Sequence, residues 1–406
     1  MASTPGTPRL LRAMNDRAAL DLLLTQGPLS RTTLGKLTGL SKPTASQLLS
    51  RLESAGLVRA SGTSGGRPGP NAQLYEINGG IAYVAGLDVT PARIRSAVAD
   101  LTGQVIGRYE LPTPGRSAKG TVERVVKAID GALGDAGLAK DRLHRVAIGT
   151  PGGFDPTTGR LRYATHLPGW HAPHLLDELA AAIGVPLEVE NDVNLAAVAE
   201  QRLGHARASD NFVLLWGEEG IGAAIVINGR LLRGATGGAG EVAFLPLPGT
   251  PLVRNVGRNN AGGFQELAGG EPVLALARSQ GLKARTPQAA IAAALETPGA
   301  GDEVLTEFAH RLAVGLAAVV AVVDPELIVL AGGVITAGGE RLRGLVQAEL
   351  AELAVPRPRL LMTGVPTDPV LSGALQSALS ATRDEVFDTA GPAVGGGTDQ
   401  PYPHQS

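Results

Sequence analysis

Glu190-Asn191-Asp192 closes the strand-like run PLEVE and opens a helix-like run, VNLAAVAE. A carboxylate beside an amide at the carboxyl end of a strand is where α/β sheets present ligand groups. The pair could hold vicinal hydroxyls, and in a phosphoryl-transfer enzyme such an Asp would take the proton of the attacking hydroxyl. The same residues also suit a plainer task, capping a helix from Val193.

A second chemistry sits near the N-terminus. In LSRTTLGKLTGLSKPTASQLLSRLESAGLV, residues 29–58, Ser30 suits the N-cap of one short helix and Gly39 a left-handed turn. Ser41 with Pro43 then suits the start of another helix. Ala45, Leu48, Leu49 and Leu52 repeat at i, i+3, i+4, i+7 and make a buried stripe. The opposite face holds Lys42, Thr44, Ser46, Gln47, Ser50 and Arg51, short polar groups that reach base edges beside cations that reach phosphates. Strands over Leu57–Ala60 and Gln73–Ile77 flank SGTSGGRPGPNA, a wing whose Gly66-Arg67-Pro68 tip is thin enough for a narrow minor groove. The expected DNA contacts are Arg31, Lys42, Thr44, Ala45, Ser46, Gln47, Arg51, Gly66, Arg67 and Pro68. A helical hairpin that merely packs is the plainer alternative.

These groups need positioning elements. Residues 1–13 read as disordered, with the first helix of the head beginning near Ala18 and closed by Gln26-Gly27-Pro28. The winged helix-turn-helix is expected over 14–80 and ends at the hinge Asn78-Gly79-Gly80. From Ile81, β runs alternate with helices, which makes an α/β body. Strands are expected at IAYVAGLDV, HRVAIGT, PLEVE, NFVLLWG, AAIVING, ELIVLAG and RLLMTG. Helices are expected near 121–137, 172–183, 193–204, 263–280, 302–323, 338–353 and 369–382. Similar β-rich openings at Ile81 and Asn211 suggest two related lobes, over 81–205 and 206–368. The tail, 385–406, reads as disordered.

With 406 residues the chain has room for two or three domains. There is no cysteine, hence no disulfide and no thiolate metal ligand. The N-terminus lacks an apolar signal core, and the longest apolar run, Leu312–Val323, is too short to span a bilayer. A cytoplasmic protein with no membrane partner is expected. Residues 1–80 hold nine Lys and Arg against four acids, leaving the overall −2 to a markedly acidic remainder. A basic head on an acidic body is expected when only the head meets phosphate.

AIGTPGGFDPTTGRL, LPGW, GVPLEVENDVNLAAVAE, GEEGIGAAIVINGRLLRGATGGAGE and DPELIVLAGGV resemble, in order and spacing, the ROK family (repressor, open reading frame, kinase). With the winged head, the chain resembles that family's sugar-responsive transcriptional regulators, from about Leu11 to Ala381. The resemblance implies an actin-like, ribonuclease-H-like body of two α/β lobes around a cleft, with a final helix returning to the first lobe. It implies Asn191, Asp192, Glu241 and Glu266 as sugar ligands and Thr150-Pro151-Gly152-Gly153 as a loop closing on the sugar. It also implies dimerisation through the second lobe.

The departures are as informative. Asp88-Val89-Thr90-Pro91-Ala92 lacks the glycines whose amides cradle phosphate in family kinases. Gly217-Glu218-Glu219-Gly220 places two carboxylates where a triphosphate would lie, and Gly332-Gly333 alone keeps the adenosine-side pattern. ATP is therefore not an expected cofactor. Phe244 stands where the family's zinc His would be and NVGRNNAGGFQE where its cysteines would be, so no zinc is expected. His166, His171 and His174 form an alternative metal cluster, read instead as surface histidines near a helix start. His166 also replaces a frequent family Asn, so the effector need not be a common sugar.

The leading expectation is a homodimeric or tetrameric regulator, not an enzyme, that binds a palindromic operator under control of a sugar or sugar derivative. A sugar kinase with a DNA-binding head, and a regulator answering to a protein partner, are the alternatives.

Overall fold

The computed structural model describes residues 8–63, 72–113, 120–155, 160–162, 167, 169–172, 174–254 and 262–389. The wing tip, Gly66-Arg67-Pro68, and His166 lie outside them. Contacts divide the chain into a head unit, 1–83 with 100–104 and 379–406, and a body unit, 84–99 with 105–378.

The head opens with α1 (Pro8–Gln26), so residues 8–13, expected to be disordered, are helical. Their apolar side chains, Leu10 and Leu11, are exposed, and no buried periodicity signalled the extra turns. Then follow β1 (Leu29–Ser30), α2 (Arg31–Thr38), α3 (Lys42–Ser54), β2 (Val58–Thr63) and β3 (Gln73–Ile77). The caps are those the sequence suggests: Ser30 Oγ accepts from Thr33 N–H at 3.1 Å and Ser41 Oγ from Thr44 N–H at 3.4 Å. Gly39 turns the corner at φ 71°, where a side chain would be strained. The sheet order is β1-β3-β2, all antiparallel. Leu20, Leu23, Leu34, Leu48, Leu49 and Leu52 fill the head core with Tyr75 and Ile77. Leu101 and Phe387, far away in sequence, belong to the same cluster.

The body holds two five-stranded sheets. The first comprises β4 (Tyr83–Val89), β5 (Arg93–Asp100), β6 (Val105–Pro112), β7 (Leu143–Thr150) and β10 (Leu187–Asn191). Between β6 and β7 lies α4 (Thr121–Asp135); a small hairpin, β8 (Gly153–Asp155) and β9 (Arg160–Arg162), follows β7, and α5 (Leu175–Ile183) leads into β10. After β10 comes α6 (Asp192–Leu203), then the second sheet begins with β11 (Phe212–Gly217), β12 (Ile221–Ile227) and β13 (Arg230–Leu231). Helices α7 (Gly263–Ala268), α8 (Gly270–Ser279), α9 (Pro287–Glu296) and α10 (Ala300–Val323) intervene before β14 (Leu327–Ala331). The chain closes with α11 (Gly333–Ala337), α12 (Gly339–Leu353), β15 (Arg359–Met362) and α13 (Pro369–Val386).

The sheets run β10-β7-β4-β5-β6 and β13-β12-β11-β14-β15. Counted within each lobe, with the small hairpin set aside, both have the order 3-2-1-4-5. In each the second and third strands pair antiparallel and the fourth and fifth parallel. The central strands are almost wholly apolar, as expected of sheets covered on both faces. The final helix returns as expected: Leu375 of α13 packs against Gly86 of β4. Its residues from Leu379 onward belong to the head unit.

Helix α10 is long and apolar enough to cross a bilayer, although the unbroken apolar run that ends it is not. Val304, Leu305, Phe308, Leu312 and Leu316 place its apolar face in the second-lobe core, which accounts for its composition.

Candidate DNA-reading head and polar cleft

Lys42, Thr44 and Gln47 are exposed along one side of α3, and Ser46 is half-buried. Arg31 is exposed at the start of α2, its Nη2 3.4 Å from Tyr75 Oη. Arg51 donates to Asp16 at 2.6 Å, and the buried Asp16 carboxylate also accepts from Thr389 Oγ1 at 3.2 Å. The Arg51 guanidinium is thus already matched inside the head, with 42% of its side chain exposed. Ala45 requires a correction. It is buried (1% exposed), its methyl facing Gly35 of α2 across the helix pair, so it belongs to the interior stripe and cannot touch DNA.

The cleft residues gather at the carboxyl ends of the first-lobe strands. Asn191 pairs in register with Thr150 across β10 and β7, so both polar groups reach one sheet edge. Asn191 is the N-cap of α6: its Oδ1 accepts from Asn194 N–H at 3.0 Å and its Nδ2 donates to Gly152 O at 3.2 Å. The capping task and the ligand task therefore fall on one residue, which also ties the 150–153 loop to the site. That loop runs tightly. A Cβ on Gly153 would stand 2.8 Å from Gly237 O, and Glu241 Oε1 lies 3.8 Å from the same point. Glu266 is exposed on α7, and among the described residues no side-chain bond ties it to this group.

Asp192 begins α6 and accepts from Val193 N–H at 2.8 Å. Burial pushes its carboxyl up to about 7. The Val193 bond opposes the rise, and the carboxylates of Asp88, Glu241 and Glu218 add to it. Burial likewise raises Glu241. Such a residue could both accept from and donate to a ligand hydroxyl near neutrality.

Three partnerships were not foreseen. Arg95 of β5 donates to Asp88 at 2.7 Å and to Asp368, which also faces Arg108 at 3.5 Å. Burial still raises the Asp88 carboxyl in spite of that guanidinium. Arg233 donates to Glu190 at 2.6 Å and lies 3.7 Å from Glu188. Glu218 Oε1 accepts from Gly333 N–H at 2.9 Å. Only the first carried a signal: two residues seven apart across a hairpin turn, opposite in charge, within otherwise apolar strands.

Several amides of the two loops, 88–92 and 217–222, are bonded internally. Thr90 N–H bonds Arg93 O at 2.9 Å, Arg93 N–H bonds Thr90 Oγ1 at 3.2 Å, and Pro91 has no N–H. In the second loop Glu218 N–H bonds Gly220 O at 3.0 Å and Ile221 N–H bonds Gln265 Oε1 at 3.0 Å. Of the three histidines read as surface groups, His171 Nδ1 lies 3.3 Å from Leu161 O and His174 faces Asp177 at 3.6 Å, while His166 lies outside the described residues.

Residues 14–67 match a model described as the MarR family. A xylose repressor of Caldicellulosiruptor bescii is 25% identical over 339 residues, 80% of this chain and 84% of that protein. A glucokinase of Halalkalibacterium halodurans is 27% identical over 293 residues, 68% of this chain and 87% of that one. Among solved structures, a ROK family transcriptional regulator, a homolog of the E. coli MLC protein, shares the fold. It matches at TM-score 0.72 and 22% identity, covering 93% of this chain and 97% of its own. The ROK hexokinase of Thermus thermophilus matches at TM-score 0.63 and 27% identity, covering 74% and 99%. The model described as the ROK family matches residues 84–361, more than half of the chain, and this protein therefore belongs to the ROK family.

Proposed function

We propose that this protein is a sugar-responsive transcriptional repressor: α3 reads double-stranded DNA and the cleft around Asp192 binds the effector. The observation that carries the reading is one chain holding both a capped helix-turn-helix with an open polar face and a hydroxyl-matching cleft beside loops in which several amides are bonded internally. The named repressors among the relatives support it. Two heads in a homodimer would meet half-sites about one helical turn apart, or a multiple of it. Sugar acts only through its different affinity for the DNA-bound and free arrangements, a coupling of about 1–3 kcal/mol. Such a regulator works in the cytoplasm. No zinc enters the reading, because the chain has no sulfur ligand and Phe244 occupies the expected histidine position.

Selection of bound fragments from a random duplex pool, followed by gel shift with a sugar panel, tests this. The expected outcome is one palindromic sequence whose retention changes at least about fivefold with one sugar. A pool without enrichment would sink the reading.

The raised Asp192 carboxyl favours a second reading, a sugar kinase, because a base poised near neutrality suits proton abstraction from a hydroxyl. ADP formation that depends on sugar would establish it. The internally bonded loops at Thr90 and Glu218 speak for the absence of such turnover.

A further inference from the structure

Among the described residues, each guanidinium bonded to a cleft carboxylate is matched by a second acid. Arg95 faces Asp88 and Asp368, and Arg233 faces Glu190 and Glu188. Neither pair leaves an uncompensated positive charge for an incoming anion. The acids outnumber them: among the described residues Asp192 has a backbone N–H as its one hydrogen-bond partner, Glu218 likewise, and the charges of Asp88, Glu218 and Glu241 all act on Asp192. Among the described residues two buried side-chain groups here lack a partner: the Nε–H of Arg95, whose terminal nitrogens are held by Asp88 and Asp368, and one neutral hydroxyl. Thr150 Oγ1, in the residue paired in register with Asn191, is wholly buried and has no partner. Hydroxyl-bearing ligands suit such a site, because carboxylates accept from their O–H groups. A phosphate monoester brings about 1.5–2 negative charges, and among the described residues Arg95 and Arg233 already face two acids each.

We propose that the effector carries no acidic group, and that the cleft selects an unphosphorylated, uncarboxylated sugar over its phosphate ester or uronic acid. This rests on the reading of the cleft as a sugar site. The selectivity comes from the arrangement of counter-ions rather than from shape: an anionic ligand would have to compete with Asp88 and Asp368 for Arg95, or with Glu190 and Glu188 for Arg233, among the described residues. Repulsion from the half-buried Glu241 is screened less than that from Glu218, whose side chain is exposed.

Calorimetric titration of the full chain with matched ligands tests it, using neutral hexoses, pentoses and N-acetylhexosamines beside glucose 6-phosphate, N-acetylglucosamine 6-phosphate and glucuronate. The expected result is a neutral sugar that binds, with its acidic counterpart at least tenfold weaker. Glu218→Gln, which keeps an acceptor for Gly333 N–H but removes the charge, should narrow that gap. An acidic member binding as tightly as its neutral counterpart, or a gap untouched by Glu218→Gln, would overturn the inference and leave the sugar-site reading standing. A panel in which no sugar of either kind binds, or a neutral sugar held equally well by Asp192→Ala, would overturn the reading and the inference together.

Discussion

At the scale of the residue, Asp192 ties chemistry to stability. Its carboxyl titrates at about 7 in the folded protein against 3.8 for a free side chain, with burial as the main cause. The folded state therefore holds this proton more firmly than the unfolded chain. Stability is unaffected below about pH 4 and is lost as pH rises through 7, up to ~4 kcal/mol at 1.36 kcal/mol per unit. Asp192→Asn keeps the shape and removes the titration. It should raise the melting temperature at pH 8 and leave it unchanged at pH 4. Equal melting of variant and parent at pH 8 would mean that the carboxyl is solvated after all.

At the scale of the element, Phe387 shows how far a short segment can matter. It lies just past the end of α13, is 2% exposed, and stacks beneath Arg17 at 5.7 Å while filling the head core. Phe387→Ala removes a buried aromatic, worth about 3–5 kcal/mol. Hydrogen exchange should show lost protection in α1 and α3 with β11 unchanged; uniform loss across both would contradict a core confined to the head. Much of the element plan was legible in the sequence, because caps and turns are local chemistry: Ser30, Gly39 and Ser41 mark the corner of α2 and α3 as the sequence suggested. Helix α9 was not. In TPQAAIAAALE the Thr286 cap is present, but a run of alanines gives little contrast between faces, so no periodicity stands out. The single helix expected over 263–280 is two, divided at Gly269, where the backbone is extended. The cleft was legible where a motif carried it, at Asn191, Asp192 and Glu241. Its counter-ions were not, since Arg233 and Asp368 reach their partners only through tertiary folding. The sequence leaves Ala45 open to either face of α3, and its packing against Gly35 fixes the interior one.

At the scale of the whole molecule, the head is assembled from three separated stretches, with Leu101 and Phe387 completing a core begun by residues 8–83. A fragment ending at Tyr83 should therefore melt broadly and without a cooperative transition, as followed by circular dichroism. A sharp transition like that of the intact protein would show that the first stretch suffices. The two lobes, by contrast, each close on one continuous run of strands in the same order. A single crossover near residue 80 between related genes would separate this head from Leu101 and Phe387, two residues of its own core. A hybrid so made inherits a plug and a hairpin tip shaped for someone else's helices. New operators are reached more easily by point changes on the open face of α3 than by shuffling whole heads.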